Sequence, residues 1–226
     1  MKLCLFDIDG TLIYTNGAGR AALARALDSV FEMRGSLDNI RLDGKTDLLL
    51  IREVLVSRGR SPDFTMSGLV FSQYVEYLKE EISTRREAYR VLPGVLELLE
   101  RLREEPNVLT GLATGNIETG ARVKLEFGQL NPFFPFGGFG SDSESRTELI
   151  RAGIQRARKL CGTDIQSTIV IGDTPQDIAH GQAAGARVVA VASGFYSVDE
   201  LRALGPDLAV PSLAPVGPVL DFILSC

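Results

Sequence analysis

The chain has 226 residues, 45% of them hydrophobic and 23% charged, with a net charge of −5; this is ordinary globular composition, enough for one domain or one domain with a modest insertion. The charge leaves no basic footprint for nucleic acid or an anionic membrane, and no apolar run approaches the ~20 residues that a membrane span needs. Three cysteines (Cys4, Cys161 and Cys226), none in CxxC spacing, argue against a disulfide framework or a thiolate zinc site and for a reducing cytoplasm.

The first element is a strand, KLCLFDI (2–8), which starts almost at once and leaves no room for a signal peptide ahead of it. Residues 15–90 then carry no strand pattern. AGRAALARALDSVFEMRG, TDLLLIREVLVSRG and FSQYVEYLKEEISTRREAY instead place apolar residues at i, i+3/i+4, the spacing of helices. A block of three or four helices is expected there, hinged near Ile13–Gly17 and Arg90–Gly94.

Beyond it the pattern alternates: helix 94–105, strand NVLTGLAT (107–114), helix 116–128, helix 145–160, strand STIVIGD (167–173), helix 175–185 and strand ARVVAVAS (186–193). A short edge strand, a Pro-punctuated loop and a final helix close the chain. The strand runs are almost continuously apolar, as expected for parallel strands covered on both faces. The fold class is therefore α/β: a doubly wound parallel-sheet (Rossmann-like) core, residues 1–14 and 91–226, with an inserted α-helical cap, residues 15–90.

Four polar clusters fall at predicted strand ends, where open parallel sheets gather their ligands. They are Asp7-Ile8-Asp9-Gly10-Thr11, Ala113-Thr114-Gly115-Asn116, Gly140-Ser141-Asp142 running into Arg146, and Gly172-Asp173-Thr174-Pro175-Gln176-Asp177. Two carboxylates two residues apart at the end of a buried strand are costly unless something positive lies near or they do proton chemistry. The later clusters offer a hydroxyl, a fixed cation and further carboxylates for a hard metal. The single histidine, His180, excludes histidine metal clusters and reads as a surface residue. Catalysis therefore falls to carboxylates, hydroxyls and Lys/Arg.

Several of these residues also have structural readings. Thr114 and Asn116 can cap a helix, as can Thr174 with Asp177 in a capping-box pattern. Asp142 divides between site and scaffold. Lys124 lies mid-helix in ARVKLEF and is the weaker alternative to Arg146 as the site's cation.

In order and spacing, DxDGTL, ATGN, a basic residue opening a later helix and GDTPxD resemble the haloacid dehalogenase-like hydrolase superfamily over essentially the whole chain. The helical insertion after the first motif is similar to the small cap of its phosphoglycolate phosphatase-like and β-phosphoglucomutase-like members. The resemblance implies a magnesium-dependent phosphatase. Asp7, a backbone carbonyl near Asp9, and Asp173 would hold magnesium, with Asp177 as a further carboxylate. Asp7 would attack phosphorus to give an aspartyl-phosphate, and Asp9 would give and take the proton. Thr114, the adjacent backbone of Gly115 and Asn116, and Arg146 would hold the phosphoryl group. Arg146 stands where the commonest family pattern has lysine. Gly10 lets the chain turn out of the site towards the cap, and Lys45, in LDGKTD, would read the leaving group.

The expected substrate is a small soluble phosphomonoester, with phosphoglycolate a candidate by resemblance, and the expected assembly is a monomer or homodimer without nucleic-acid or membrane partners. Two alternatives stay open: a sugar-phosphate mutase of β-phosphoglucomutase type, and a non-catalytic phospho-acceptor or metabolite-binding protein. A dehalogenase is disfavoured, because it needs neither Asp9 as proton donor nor the carboxylates of GDTPQD.

Overall fold

The computed structural model describes residues 1–38, 40, 42, 44–61 and 64–226, with 64–67 as backbone. In chain order the elements are β1 Lys2–Phe6, β2 Ile13–Tyr14, α1 Ala18–Phe31, α2 Asp47–Ser57, α3 Phe64–Thr84, β3 Arg90–Val91, α4 Val95–Glu104, β4 Val108–Thr114 and α5 Glu118–Glu126. They continue with β5 Gly137–Phe139, α6 Arg146–Cys161, β6 Ser167–Gly172, α7 Pro175–Ala183, β7 Arg187–Val191, α8 Val198–Arg202, β8 Leu208–Val210 and α9 Gly217–Ser225.

Six strands form one parallel sheet in the order β5-β4-β1-β6-β7-β8. The apolar runs explain why. Successive strand residues point to opposite faces, and here both faces are buried. Cys4, Phe6, Ile169, Ile171, Val189 and Val191 join one layer with Leu98 and Leu102 of α4 and Ile223 of α9. Leu3, Leu5 and Val170, their neighbours in the strands, pack on Leu149 and Ala157 of α6. Val188 and Ala190 meet Ile178 of α7 and Leu201 of α8. The expected α/β fold is therefore present. β5, the two-residue strands β2 and β3, and α8 were not anticipated.

The helical segments predicted between residues 15 and 90 form three helices with a separate apolar cluster. Ala22, Leu23 and Leu27 of α1, Leu50, Ile51 and Val54 of α2, and Val70, Tyr74, Leu78 and Ile82 of α3 make up most of it. The α3 positions recur every fourth residue, the stripe that a helix turns inward. α3 ends at Thr84, short of Tyr89, to which the helical spacing of the sequence runs. The insertion leaves and re-enters the core through β2 and β3, which pair antiparallel, Ile13 with Val91 and Tyr14 with Arg90. Among the described residues no helix is long and apolar enough to cross a membrane.

Candidate active site

β4, β1 and β6 lie side by side in parallel register, with Phe6 opposite both Leu112 and Ile171. The residues that follow each strand therefore emerge at one edge. Asp7 follows β1, Thr114 ends β4, and Asp173 follows β6; Arg146 opens α6 beside them. All four are buried. Arg146 Nη2 lies 3.1 Å from Asp7 Oδ1 and also bonds Asp177 Oδ1. Asp177 Oδ2 accepts from the Thr174 backbone N–H at 3.0 Å and from its hydroxyl at 2.6 Å, completing a capping box on α7. One oxygen of Asp177 thus starts the helix and the other bonds the guanidinium.

Three buried carboxylates face that single guanidinium, so the edge carries excess negative charge. Burial pushes the Asp7 carboxyl upwards, only partly opposed by Arg146 and reinforced by Asp177 and Asp9. Burial and the charges of Asp177 and Asp7 push Asp173 upwards as well. For Arg146, burial pulls downwards but the Asp177 and Asp7 charges outweigh it, so the guanidinium stays charged. Among the described residues its Nε is buried without a hydrogen-bond partner.

One oxygen each from Asp7, Asp173 and Asp177 lies within 4.8 Å of the others. This all-oxygen, anionic set suits a hard divalent cation. Asp173 Oδ1 accepts from the Thr11 hydroxyl at 2.9 Å. Around its other oxygen the backbone leaves room that a side chain would fill: a Cβ on Gly10 would come within 2.3 Å of Asp173 Oδ2, and one on Gly194 within 1.9 Å.

Asp9 has different company. Its Oδ2 accepts from Lys124 Nζ at 2.6 Å and from Asn116 Nδ2 at 2.8 Å. Lys124 Nζ also reaches Asn116 Oδ1 at 2.7 Å, and Asn116 Nδ2 reaches Thr114 Oγ1 at 2.7 Å. Lys124 is buried on the inner face of α5. The structure thus places both candidate cations in the site, Arg146 on Asp7 and Lys124 on Asp9. At the start of α5 two backbone N–H groups already have partners. Ile117 N–H donates to Asp47 Oδ2 at 2.8 Å and Glu118 N–H to Ser141 Oγ at 3.3 Å.

A pocket of about 470 Å³ opens over these residues, lined by Asp7, Asp9, Gly10, Thr114, Gly115, Asn116, Lys124, Arg146 and Asp173 from the core and by Arg20, Lys45, Asp47 and Tyr74 from the insertion. Lys45 is drawn onto Glu53, with Nζ to Oε2 at 2.6 Å. Asp43, within LDGKTD, lies outside the described residues, while Thr46 caps α2, accepting from Leu49 N–H at 3.2 Å. Asp142 is scaffold: it accepts from Phe139 N–H at 2.9 Å and pairs with Arg156. His180 sits on α7, bonded through its ring to Thr147 and Gln176.

Sequence reasoning missed Asp47 and Tyr74 and undervalued Lys124. Tyr74 carries a weak signal as a phenol in an aliphatic stripe, and Lys124 as a lysine on the apolar face of a helix. Asp47 carries none beyond its place in the first turn of α2, where an acidic residue is ordinary.

Residues 1–185 match the profile of the haloacid dehalogenase-like hydrolases. Among curated relatives, the phosphoglycolate phosphatase of Rhodospirillum rubrum is 25% identical, the alignment covering 98% of this chain and 91% of the relative. Pyrophosphatase PpaX of Oceanobacillus iheyensis is 24% identical, over 96% and 95%. The crystal structure of CbbY from Rhodobacter sphaeroides in complex with phosphate shares the fold, with a TM-score of 0.72 at 17% identity and 96% coverage of each chain. A hydrolase from Pseudomonas syringae superimposes with a TM-score of 0.70 at 23% identity, covering 99% of each.

Proposed function

The chain belongs to the haloacid dehalogenase-like hydrolase family and is a phosphatase, and we propose that it hydrolyses a small phosphomonoester with magnesium through an aspartyl-phosphate on Asp7. The observation that carries this reading is the contact of one buried guanidinium with Asp7 at the floor of a pocket whose next acidic residue is Asp9. A phosphate ester is itself anionic, so an anionic nucleophile needs fixed positive charge in order to meet it. Arg146 supplies part of that charge and bridges nucleophile and phosphoryl oxygen through its fork.

Asp7 and Asp173, with the main-chain carbonyl of Asp9, would hold magnesium, which when bound neutralises charge on the phosphoryl oxygens and the nucleophile. Asp177 adds a carboxylate to that edge and keeps Arg146 aimed at Asp7.

The chain's own residues perform the steps. An Asp7 carboxylate oxygen forms a bond to phosphorus as the bond to the leaving oxygen breaks, and Asp9 gives that oxygen its proton. A water then attacks the acyl-phosphate phosphorus, Asp9 takes the water's proton, and the bond from phosphorus to Asp7 breaks. Thr114, Gly115 and Asn116 hold the phosphoryl oxygens. Residues 15–90 act as a cap that keeps bulk water and large substrates out, with Lys45 at the leaving-group end. Phosphoglycolate is the first substrate to try, because a relative bears that name. The three free cysteines fit a reducing, cytoplasmic setting.

The test is a panel of phosphoglycolate, sugar phosphates, nucleoside monophosphates and pyrophosphate, assayed for phosphate release with magnesium, with chelator, and with Asp7→Asn. Release that needs magnesium and is lost in the variant is expected. Wild-type rates in Asp7→Asn would sink the mechanism.

A further inference from the structure

We propose that Asp47 is a positioning residue that latches the helical insertion onto the β4–α5 turn and so fixes Thr114, Gly115 and Asn116 in place; the proposal rests on the phosphatase reading only for what that turn holds. Asp47 is the first residue of α2 and is buried at the seam between insertion and core. It grips the turn twice. Its backbone N–H donates to Gly115 C=O at 2.8 Å, and its Oδ2 accepts from Ile117 N–H at 2.8 Å.

The second bond has a particular meaning. Ile117 stands at the N-cap of α5, and no side chain of that segment caps the helix. A helix start leaves N–H groups without partners unless an acceptor is brought to them. Asp47 brings one from 70 residues away, so the first of the N–H groups at the start of α5 is satisfied by the insertion. With the insertion swung away, that N–H would lose its partner.

The neighbouring contacts show that the loop ahead of α2 is built for this seat. A Cβ on Gly115 would fall 2.1 Å from Lys45 C=O, so the turn accepts the loop only as glycine. Thr46 Oγ1 donates to Glu144 C=O at 3.2 Å, and Arg146 Nη1 donates to Gly44 C=O at 3.3 Å. The same guanidinium that meets Asp7 therefore also feels whether the loop is seated. A fixed acceptor at the end of a rigid helix is the kind of support on which a preorganised site depends.

The experiment compares wild type, Asp47→Ala and Asp47→Asn by amide hydrogen exchange over residues 114–120 and by kcat and KM for p-nitrophenyl phosphate. In Asp47→Ala, exchange at Ile117 rises about tenfold or more and kcat falls by about tenfold to a hundredfold, the cost of leaving a buried N–H without an acceptor. Asp47→Asn, whose amide oxygen still accepts the Ile117 N–H, recovers both, which a general loss of stability would not do. Unchanged exchange in Asp47→Ala overturns the latch, and so does a rate loss that Asn fails to rescue. If Asp47→Ala does not fold, Asp47→Glu, which carries the acceptor one methylene too far, takes its place under the same two criteria. Should exchange respond while wild type releases no phosphate from any ester, the phosphatase reading fails and the latch stands.

Discussion

Lys124 and Asp9 stand 115 residues apart in the chain and 2.6 Å apart in the fold, ammonium to carboxylate. The lysine is buried beneath α1, where a Cβ on Gly19 would lie 3.0 Å from its Nζ. Asn116 bonds both partners, so Asp9 Oδ2 is held by two donors and its free orientation is gone.

The first prediction concerns that pair. Lys124→Met keeps the stem and removes the charge, so Asp9 loses its anchor. The expected result is a fall in kcat/KM of about tenfold to a hundredfold, a share of the roughly 10²–10⁴ that a positioned acid-base group contributes. Steady-state kinetics on an aryl phosphate, with magnesium saturating, measures it. Unaltered kinetics would reduce Lys124 to packing.

Arg146 is a stability prediction as much as a catalytic one. Its guanidinium is the cation in contact with Asp7 and Asp177, both buried. Removing one partner from a buried ion cluster costs ~3–5 kcal/mol, because the remaining charges are stranded. Arg146→Met should therefore lower the urea midpoint sharply in chelator and lose activity. Arg146→Lys, a point charge without the fork, should recover part of the stability and less of the rate. Equal midpoints for wild type and Arg146→Met would show that the carboxylates are neutralised some other way.

How much of this was legible follows from where each signal lies. The apolar runs of β1, β4, β6 and β7 are local, and the carboxylates that end two of them lie next to the run, so Asp7 and Asp173 could be read directly. β5 is Gly-Gly-Phe, and β2 and β3 are two residues each, too short for any period to show. Lys124 and Asp47 owe their roles to partners across the fold, Asp9 and Ile117. Nothing within a helical turn of either residue encodes those contacts. A lysine on an apolar helix face is the one local hint of its role.

The pH dependence of stability has a definite sign. Burial pushes Asp47 up to about 6, against the opposing charge of Lys124, and burial also raises Asp7 and Asp173. A carboxyl raised on folding is bound to its proton more tightly in the native state, so the unfolded chain binds fewer protons and stability falls as pH rises. As far as these groups are concerned, the metal-free protein should therefore be most stable at and below about pH 4 and should lose that contribution as pH rises through about 6 and above. Magnesium competes with protons for Asp7 and Asp173, so its addition should raise the melting temperature at pH 7.5 much more than at pH 5. Thermal melts across pH, in chelator and in magnesium, provide the check. A magnesium shift that is equal at both pH values would contradict the assignment of these carboxylates to the metal.

The last prediction turns on Gly10, the residue after the second aspartate. Its φ is +84°, and a Cβ there would lie 2.3 Å from Asp173 Oδ2. Gly10→Ala therefore meets two costs. The left-handed backbone is disfavoured for alanine by about 1–2 kcal/mol, and Asp173 must be pushed aside. Relieving the clash moves the carboxylate that Thr11 and the proposed cation share, so the damage should reach the metal. The expected outcome is a lower melting temperature together with a rise of about tenfold or more in the magnesium concentration for half-maximal rate, the range in which perturbed ligand support weakens metal sites. A melt that falls while the magnesium requirement stays fixed would mean that Asp173 moves without consequence. In that case the cation is held by Asp7 and its neighbours alone.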